Sequence, residues 1–284
     1  MTDRAPALFI GHGSPMNTLE RNGFTDAWRE MGERLPRPRA ILVISAHWYF
    51  GATAVTAMAK PRTIHDFYGF PESLFAFDYP APGAPDVAHE VAEVVKPSWV
   101  GLDRDQWGLD HGTWSVLAHL YPEADVPVVQ LSINALRPLE YHVELGSRLA
   151  PLRDRGILIL GSGNVVHNLG RVRWDRPDAA FDWAERFDEA AVGQLAEDAS
   201  AVLKLVEHSD YRLAVPTPDH FIPLLYLAGL AAAGEGLAEP WVRGYAMGSL
   251  SMTCYRAGKT IRSAAEGEGA AGLPQGVPPD QTNI

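Results

Sequence analysis

Ala7-Leu8-Phe9-Ile10-Gly11-His12-Gly13-Ser14-Pro15 runs from four consecutive apolar residues straight into a turn of small and polar ones. An apolar run this short, closed by glycine, has the length of a buried strand and not of a helix. Three further runs share the pattern, at 40–44 before Ser45, 126–131 before Ser132, and 157–160 before Gly161. Segments 51–58 and 244–252 alternate more weakly and read as additional strands. Helical periodicity lies between them, over 86–95, 113–120, 139–152, 183–208 and 221–232, and Pro138 suits a first helical turn. Strands interleaved with helices define an α/β layer architecture. The expectation is one domain over residues 1–263, with a central, largely parallel sheet, mixed at its edges and flanked by helices. Residues 264–284 are rich in Gly, Pro, Ala and Glu without periodicity, and are expected to form a disordered tail.

The charge of the 284-residue chain narrows the function classes. With 24 basic and 35 acidic residues it carries −11 at pH 7, so nucleic acid and anionic membrane surfaces repel it. Its most apolar stretch, 224–233, is about half of what spans a bilayer. The single cysteine, Cys254, has no partner for an internal disulfide and reads as a small core residue. The N-terminal apolar run is too short for a secretory signal. A cytoplasmic protein is expected.

The histidines carry the chemistry. His12, His47 and His167 each follow a predicted strand, in Gly11-His12-Gly13, Ala46-His47-Trp48 and Val166-His167-Asn168. In an open α/β sheet the carboxyl ends of strands border the ligand crevice, which lets these imidazoles converge. His220, in Pro216-Thr217-Pro218-Asp219-His220, marks the entry of a helix. Converging imidazoles suit zinc, iron, copper or nickel. The competing reading for each is a capping or core histidine. Asp110-His111-Gly112-Thr113 supplies either a proton-transfer histidine or an Asp N-cap followed by an exposed ring. The aromatic loop His65-Asp66-Phe67-Tyr68 either lines a pocket for a flat ligand or pins itself down. His89, His119, His142 and His208 sit in helical patterns and read as structural. Gly161-Ser162-Gly163 lacks the third glycine of a dinucleotide turn, and no phosphate loop, His-Glu-x-x-His or nucleophile elbow is present.

These segments, with Thr63-Ile64-His65-Asp66-Phe67, Trp107-Gly108-Leu109-Asp110-His111-Gly112 and Met247-Gly248-Ser249-Leu250-Ser251-Met252, resemble the 4,5-DOPA extradiol dioxygenases of the LigB-type ring-cleavage superfamily. The resemblance runs in order from about residue 5 to 252. It implies one divalent metal held by His12, His47, His167 and His220, with Fe(II) expected for activity and Zn(II) suited to the same imidazoles. It implies a catechol and O2 as partners, and a muconic semialdehyde product of the 4,5-seco-DOPA type. His111 is the implied acid/base residue. His167 is its rival, serving either as a ligand or as the acid/base, and His65 and Asp66 are pocket candidates. A histidine at 220, where much of the superfamily has a glutamate, leaves the metal open. Two alternatives use the same cluster, namely a zinc hydrolase or lyase and a non-catalytic metal or catechol binder. Oligomeric state is not readable from these residues.

Overall fold

The computed structural model describes residues 4–259 and 264–284. Its strands and helices follow in the order β1 (Ala7–Gly11), α1 (Gly23–Arg34), β2 (Ala40–Phe50), β3 (Ala54–Thr56), α2 (Glu72–Phe75), α3 (Pro85–Val94), β4 (Gly101–Asp103), α4 (His111–Leu120) and β5 (Val128–Asn134). The chain continues through α5 (Leu139–Leu149), β6 (Ile157–Gly163), α6 (Asp182–Glu197), α7 (Tyr211–Ala214), α8 (Ile222–Ala232) and β7 (Ala238–Arg243). It closes with β8 (Tyr245–Ala246), β9 (Leu250–Ser251), β10 (Cys254–Ala257) and β11 (Ala265–Glu266).

Nine strands form one sheet in the order β11-β7-β10-β1-β6-β2-β5-β3-β4. Its centre, β1-β6-β2-β5, is wholly parallel, and antiparallel pairings flank it at β1–β10, β10–β7 and β5–β3. The four apolar runs that decide the fold are these central strands. Both faces of the centre are buried, as helix-covered parallel sheets require. Phe9, Leu42, Ile44, Leu131 and Ile159 share a core with α3, α5, α6 and α8, while Leu8, Ile10, Val43 and Leu160 pack against α1 and α4. The alternation of neighbours between two cores follows from the two-residue period of a strand.

Some elements differ from the sequence expectation. Helix α1 was not anticipated, although Phe24, Ala27, Trp28 and Met31 are buried at helical spacing behind an Asn22–Thr25 capping box. The helical reading of 183–208 divides into α6 and a separate 3-10 segment at Ala199–Glu207. The 244–252 strand is a short β8–β9 hairpin, and Cys254 belongs to β10 instead. Strand β2 runs past Ile44 to Phe50 with a register break. Ile44 pairs with Leu131, whereas Tyr49 pairs with Ile133, so extra residues of β2 loop out opposite β5. Such irregularities re-aim side chains at sheet edges and active sites, and this one contains His47.

The described tail, residues 264–284, packs on the body, contrary to the disorder expected of it. Strand β11 adds to β7. Leu273 and Ile284 are buried, Ser14 Oγ donates to the Gly272 carbonyl (2.8 Å), and Asn283 Nδ2 donates to the Asp66 carbonyl. Composition missed this because isolated anchors, and not a periodic face, hold the segment. Cutting one anchor tests the placement. Leu273→Ala should lower stability by about 2–3 kcal/mol, the lower part of the range for buried leucines. The denaturant midpoint reads the change, and an unchanged midpoint would show that this segment contributes nothing.

Candidate metal centre

The site lies at the carboxyl ends of the central strands, and its ring orientations follow from hydrogen bonds. His12 leaves β1 with Nδ1 2.9 Å from Ser162 Oγ on β6. That hydroxyl donates its proton to the Gly112 carbonyl at 2.5 Å. Its oxygen therefore accepts, the proton of His12 sits on Nδ1, and Nε2 keeps a lone pair. His220 has its Nδ1 2.5 Å from the Asp219 carboxylate, and its Nε2 is buried without a partner. His47 turns Nδ1 toward Asp66 Oδ2 at 3.5 Å and places Nε2 3.2 Å from Nε2 of His12. Ring nitrogens of His12, His47 and His220 all lie within 4.8 Å of one another.

Two close approaches make this convergence possible. A side chain at Gly163 would collide with the His220 carbonyl, and one at Gly112 would lie 2.9 Å from the His47 ring. Burial first, and then the neighbouring histidines, push His12 and His47 well below the ordinary histidine pKa. The imidazoles are accordingly neutral. The Nε2 lone pair of His12 points at Nε2 of His47 3.2 Å away, and a cation among these nitrogens would take a lone pair from each ring. Two nitrogens each about 2.0–2.1 Å from a tetrahedral ion stand about 3.3 Å apart. The residues present thus fit a divalent metal.

A second layer fixes the first. Burial alone would raise the pKa of Asp66, but His111 and His47 outweigh it and hold the group below the usual carboxylate range. Its Oδ1 accepts both the backbone N–H (3.0 Å) and Nδ1–H (2.9 Å) of His111. Nε2 of His111 is left buried and unpartnered, its ring centroid 3.8 Å from that of His47. Asp110 caps α4 at the Thr113 N–H (3.2 Å) and accepts from Ser45 Oγ (2.7 Å), Trp107 Nε1 (3.3 Å) and Gln130 Nε2. Burial, and next the charge of Asp66, push Asp110 up to about 6.

Of the four histidines expected around the metal, three converge and His167 does not join them. Its ring lies flat on His220, centroids 3.6 Å apart and planes within 2°. The cause is the backbone, because the His167 N–H donates to the Ala214 carbonyl (2.8 Å) and a bridge to Leu250 fixes the chain. Asp66 reaches the cluster, but His65 does not belong to it. His65 packs against Phe67, Phe75 and Trp114 with Nε2 on the Phe77 carbonyl at 2.8 Å, pinning its loop. Reasoning from the sequence assigned no role to Ser162 or Asp219. The Asp219-His220 pair was a readable signal, whereas Ser162 meets His12 only across 150 residues of chain. Beside His47 a cavity of about 730 Å³ opens, walled by Trp48, Phe50 and Trp107.

A buried imidazole trio backed by carboxylates at the mouth of an α/β sheet is a donor set of the class found in metal enzymes. The model of the catalytic LigB subunit of aromatic ring-opening dioxygenase matches residues 6–253, and the chain belongs to this family of metal-dependent dioxygenases. The chain is 47% identical over 259 residues to a 4,5-DOPA dioxygenase extradiol of Escherichia coli K12, covering 90% of this chain and 95% of that one. A protein of the same description from Beta vulgaris is 39% identical over 80% of this chain and 87% of its own. A crystal structure of an uncharacterized Escherichia coli K12 protein superposes with a TM-score of 0.77 at 42% identity, covering 90% of this chain and all of that one. The protein is therefore an aromatic ring-opening dioxygenase. No helix among the described residues is long and apolar enough to cross a membrane.

The carboxylate beneath α4 offers a test of the supporting layer. Asp110→Asn turns an amide nitrogen toward groups that are all donors, at a cost of about 1–3 kcal/mol. Chemical denaturation should show that loss. A variant as stable as the parent would mean that Asp110 is already protonated.

Proposed function

We propose that His12, His47 and His220 hold one divalent metal and that the site cleaves a catechol such as L-DOPA by extradiol insertion of both atoms of O2. The product is a muconic semialdehyde of the 4,5-seco-DOPA type. One observation carries the ligand assignment: the Nδ1 protons of His12 and His220 are committed to Ser162 and Asp219, which leaves their Nε2 lone pairs for an ion. Bound there, a redox-active ion such as Fe(II) supplies acidity to the catechol hydroxyls and one-electron chemistry toward triplet O2, which Zn(II) lacks. Zn(II) suits the all-nitrogen donor set and fills it competently without supporting turnover.

The chain's own groups handle protons and exclude water. His111 presents Nε2 into the cluster with its Nδ1 proton anchored on Asp66. It takes a proton from a catechol hydroxyl at Nε2, and Asp66 stabilises the resulting imidazolium. The same nitrogen returns the proton when the O–O bond breaks. His167, stacked on His220, is the second histidine able to exchange protons at this site and limits the swing of that ligand. Phe67, whose ring centroid is 5.5 Å from that of His111, keeps bulk water from the acid/base pair.

Metal content and turnover separate these roles. His12→Ala, His47→Ala and His220→Ala should each lose stoichiometric metal, measured by atomic emission. His111→Ala should retain it and lose about 10²–10⁴-fold in turnover. Equal metal loss in His111→Ala and His12→Ala would reverse the assignment. The reaction is checked by loading metal-free protein anaerobically with Fe(II) or Zn(II), then adding catechols and air. Oxygen uptake with a yellow chromophore is expected for Fe(II) alone. Oxygen-independent turnover by the zinc form would establish a hydrolase or lyase instead.

A further inference from the structure

We propose that Arg104 receives the carboxylate of an amino-acid head group, so that the preferred substrate is a catechol whose side chain is zwitterionic. The inference rests on the ring-cleavage reading above and adds the substrate's far end to it.

The cavity beside His47 sets the orientation. His47 and Arg104 line the same space, together with Trp48, Phe50, Asp105 and Trp107. A catechol must direct its two hydroxyls toward the ion held by His47, so the ring substituent points back along the cavity. Trp48 and Trp107 lie with planes within 2° and centroids 5.7 Å apart, and Phe50 continues the stack from Trp48 at 5.8 Å. These rings form a flat apolar wall of the kind that orients an aromatic ligand. About 730 Å³ is ample for one substituted catechol.

Charge then selects the substituent. The 103–107 turn is rigidly held. Asp103 Oδ1 accepts the N–H groups of Asp105 (3.2 Å) and Gln106 (2.8 Å), and Oδ2 accepts that of Trp107 (2.8 Å). Arg62 Nη2 donates to the Gln106 carbonyl and fastens the turn from outside. Asp103 is thus committed to backbone, and Arg104 makes no ion pair with any described carboxylate. Most arginines of this acidic chain are otherwise engaged, as in Arg153–Glu235, Arg186–Asp210 and Arg243–Asp188. An exposed guanidinium that lines the cavity without an ion pair to a described carboxylate matches a carboxylate in two-point geometry. Asp105 has one oxygen on Gln106 Nε2 at 2.6 Å and lines the same cavity, where its charge favours the adjacent ammonium.

Three catechols dissect the head group: L-DOPA, dopamine without the carboxylate, and 4-methylcatechol without either charge. Steady-state oxygen uptake by the Fe(II)-loaded full chain gives kcat/KM for each, and anaerobic calorimetry gives their affinities. Arg104→Ala should reduce the L-DOPA to dopamine preference about tenfold, through KM and affinity and not kcat. Arg104→Lys, which keeps the charge but not the fork, should recover part of it. An unchanged preference in Arg104→Ala, or an equal loss on all three catechols, would overturn the subsite while ring cleavage stands. Absence of oxygen uptake by the parent protein with every catechol would instead remove the ring-cleavage reading, and the subsite with it.

Discussion

Three imidazoles brought nitrogen to nitrogen within 4.8 Å are the arrangement on which the site depends. Such crowding, with Nε2 of His12 and of His47 3.2 Å apart, has to be imposed by the surroundings. The fold sustains it by engaging Nδ1 of His12 and of His220. Ser162 accepts from His12, Asp219 from His220, and Asp66 faces His47. Ser162 and Asp219 set which nitrogen of His12 and His220 carries the proton, and so which one can bind a metal. Burial works in the same direction by keeping His12 and His47 neutral.

The partners belong to elements far apart in the chain, and the sheet is what assembles them. Pairing of β1 with β6 in register sets Ile10 beside Ser162 and Gly11 beside Gly163, so His12 emerges over the Ser162 hydroxyl. The looped-out segment of β2 carries His47 toward the same point. Helix α4 begins there as well, with Asp110 tying its first turn to Ser45 and Gln130 on two neighbouring strands. One network thereby couples His12, His111 and the core. The Asp66 loop closes this assembly, and the 264–284 segment braces it through Asn283 and through the Tyr68 N–H bond to the Thr282 carbonyl (3.0 Å). The matched family region ends at residue 253, so this brace is contributed by chain beyond it.

Much of this was legible beforehand. The apolar runs ending in Gly, Ser or Asn named the four central strands, since a strand buried on both faces needs uninterrupted apolar residues. Of the histidines singled out in the sequence, His12, His47 and His220 are the ones the structure brings together. Helix α1 escaped because its buried stripe of Phe24, Trp28 and Met31 is diluted by charged residues. Strands β7 and β10, which lie between β1 and the edge strand β11, escaped because their sequences mix polar and apolar positions.

Sequence alone determined the layer architecture and the imidazole chemistry, because burial patterns and donor atoms are properties of residue type at fixed spacing. Only tertiary structure decided that His167 stacks on His220 while His47 meets His12, that His65 pins a loop while Asp66 orients His111, and that the tail packs. Ring orientation depends on hydrogen-bond partners up to 150 residues away, and no local pattern encodes which hydroxyl or carboxylate a strand register will bring alongside.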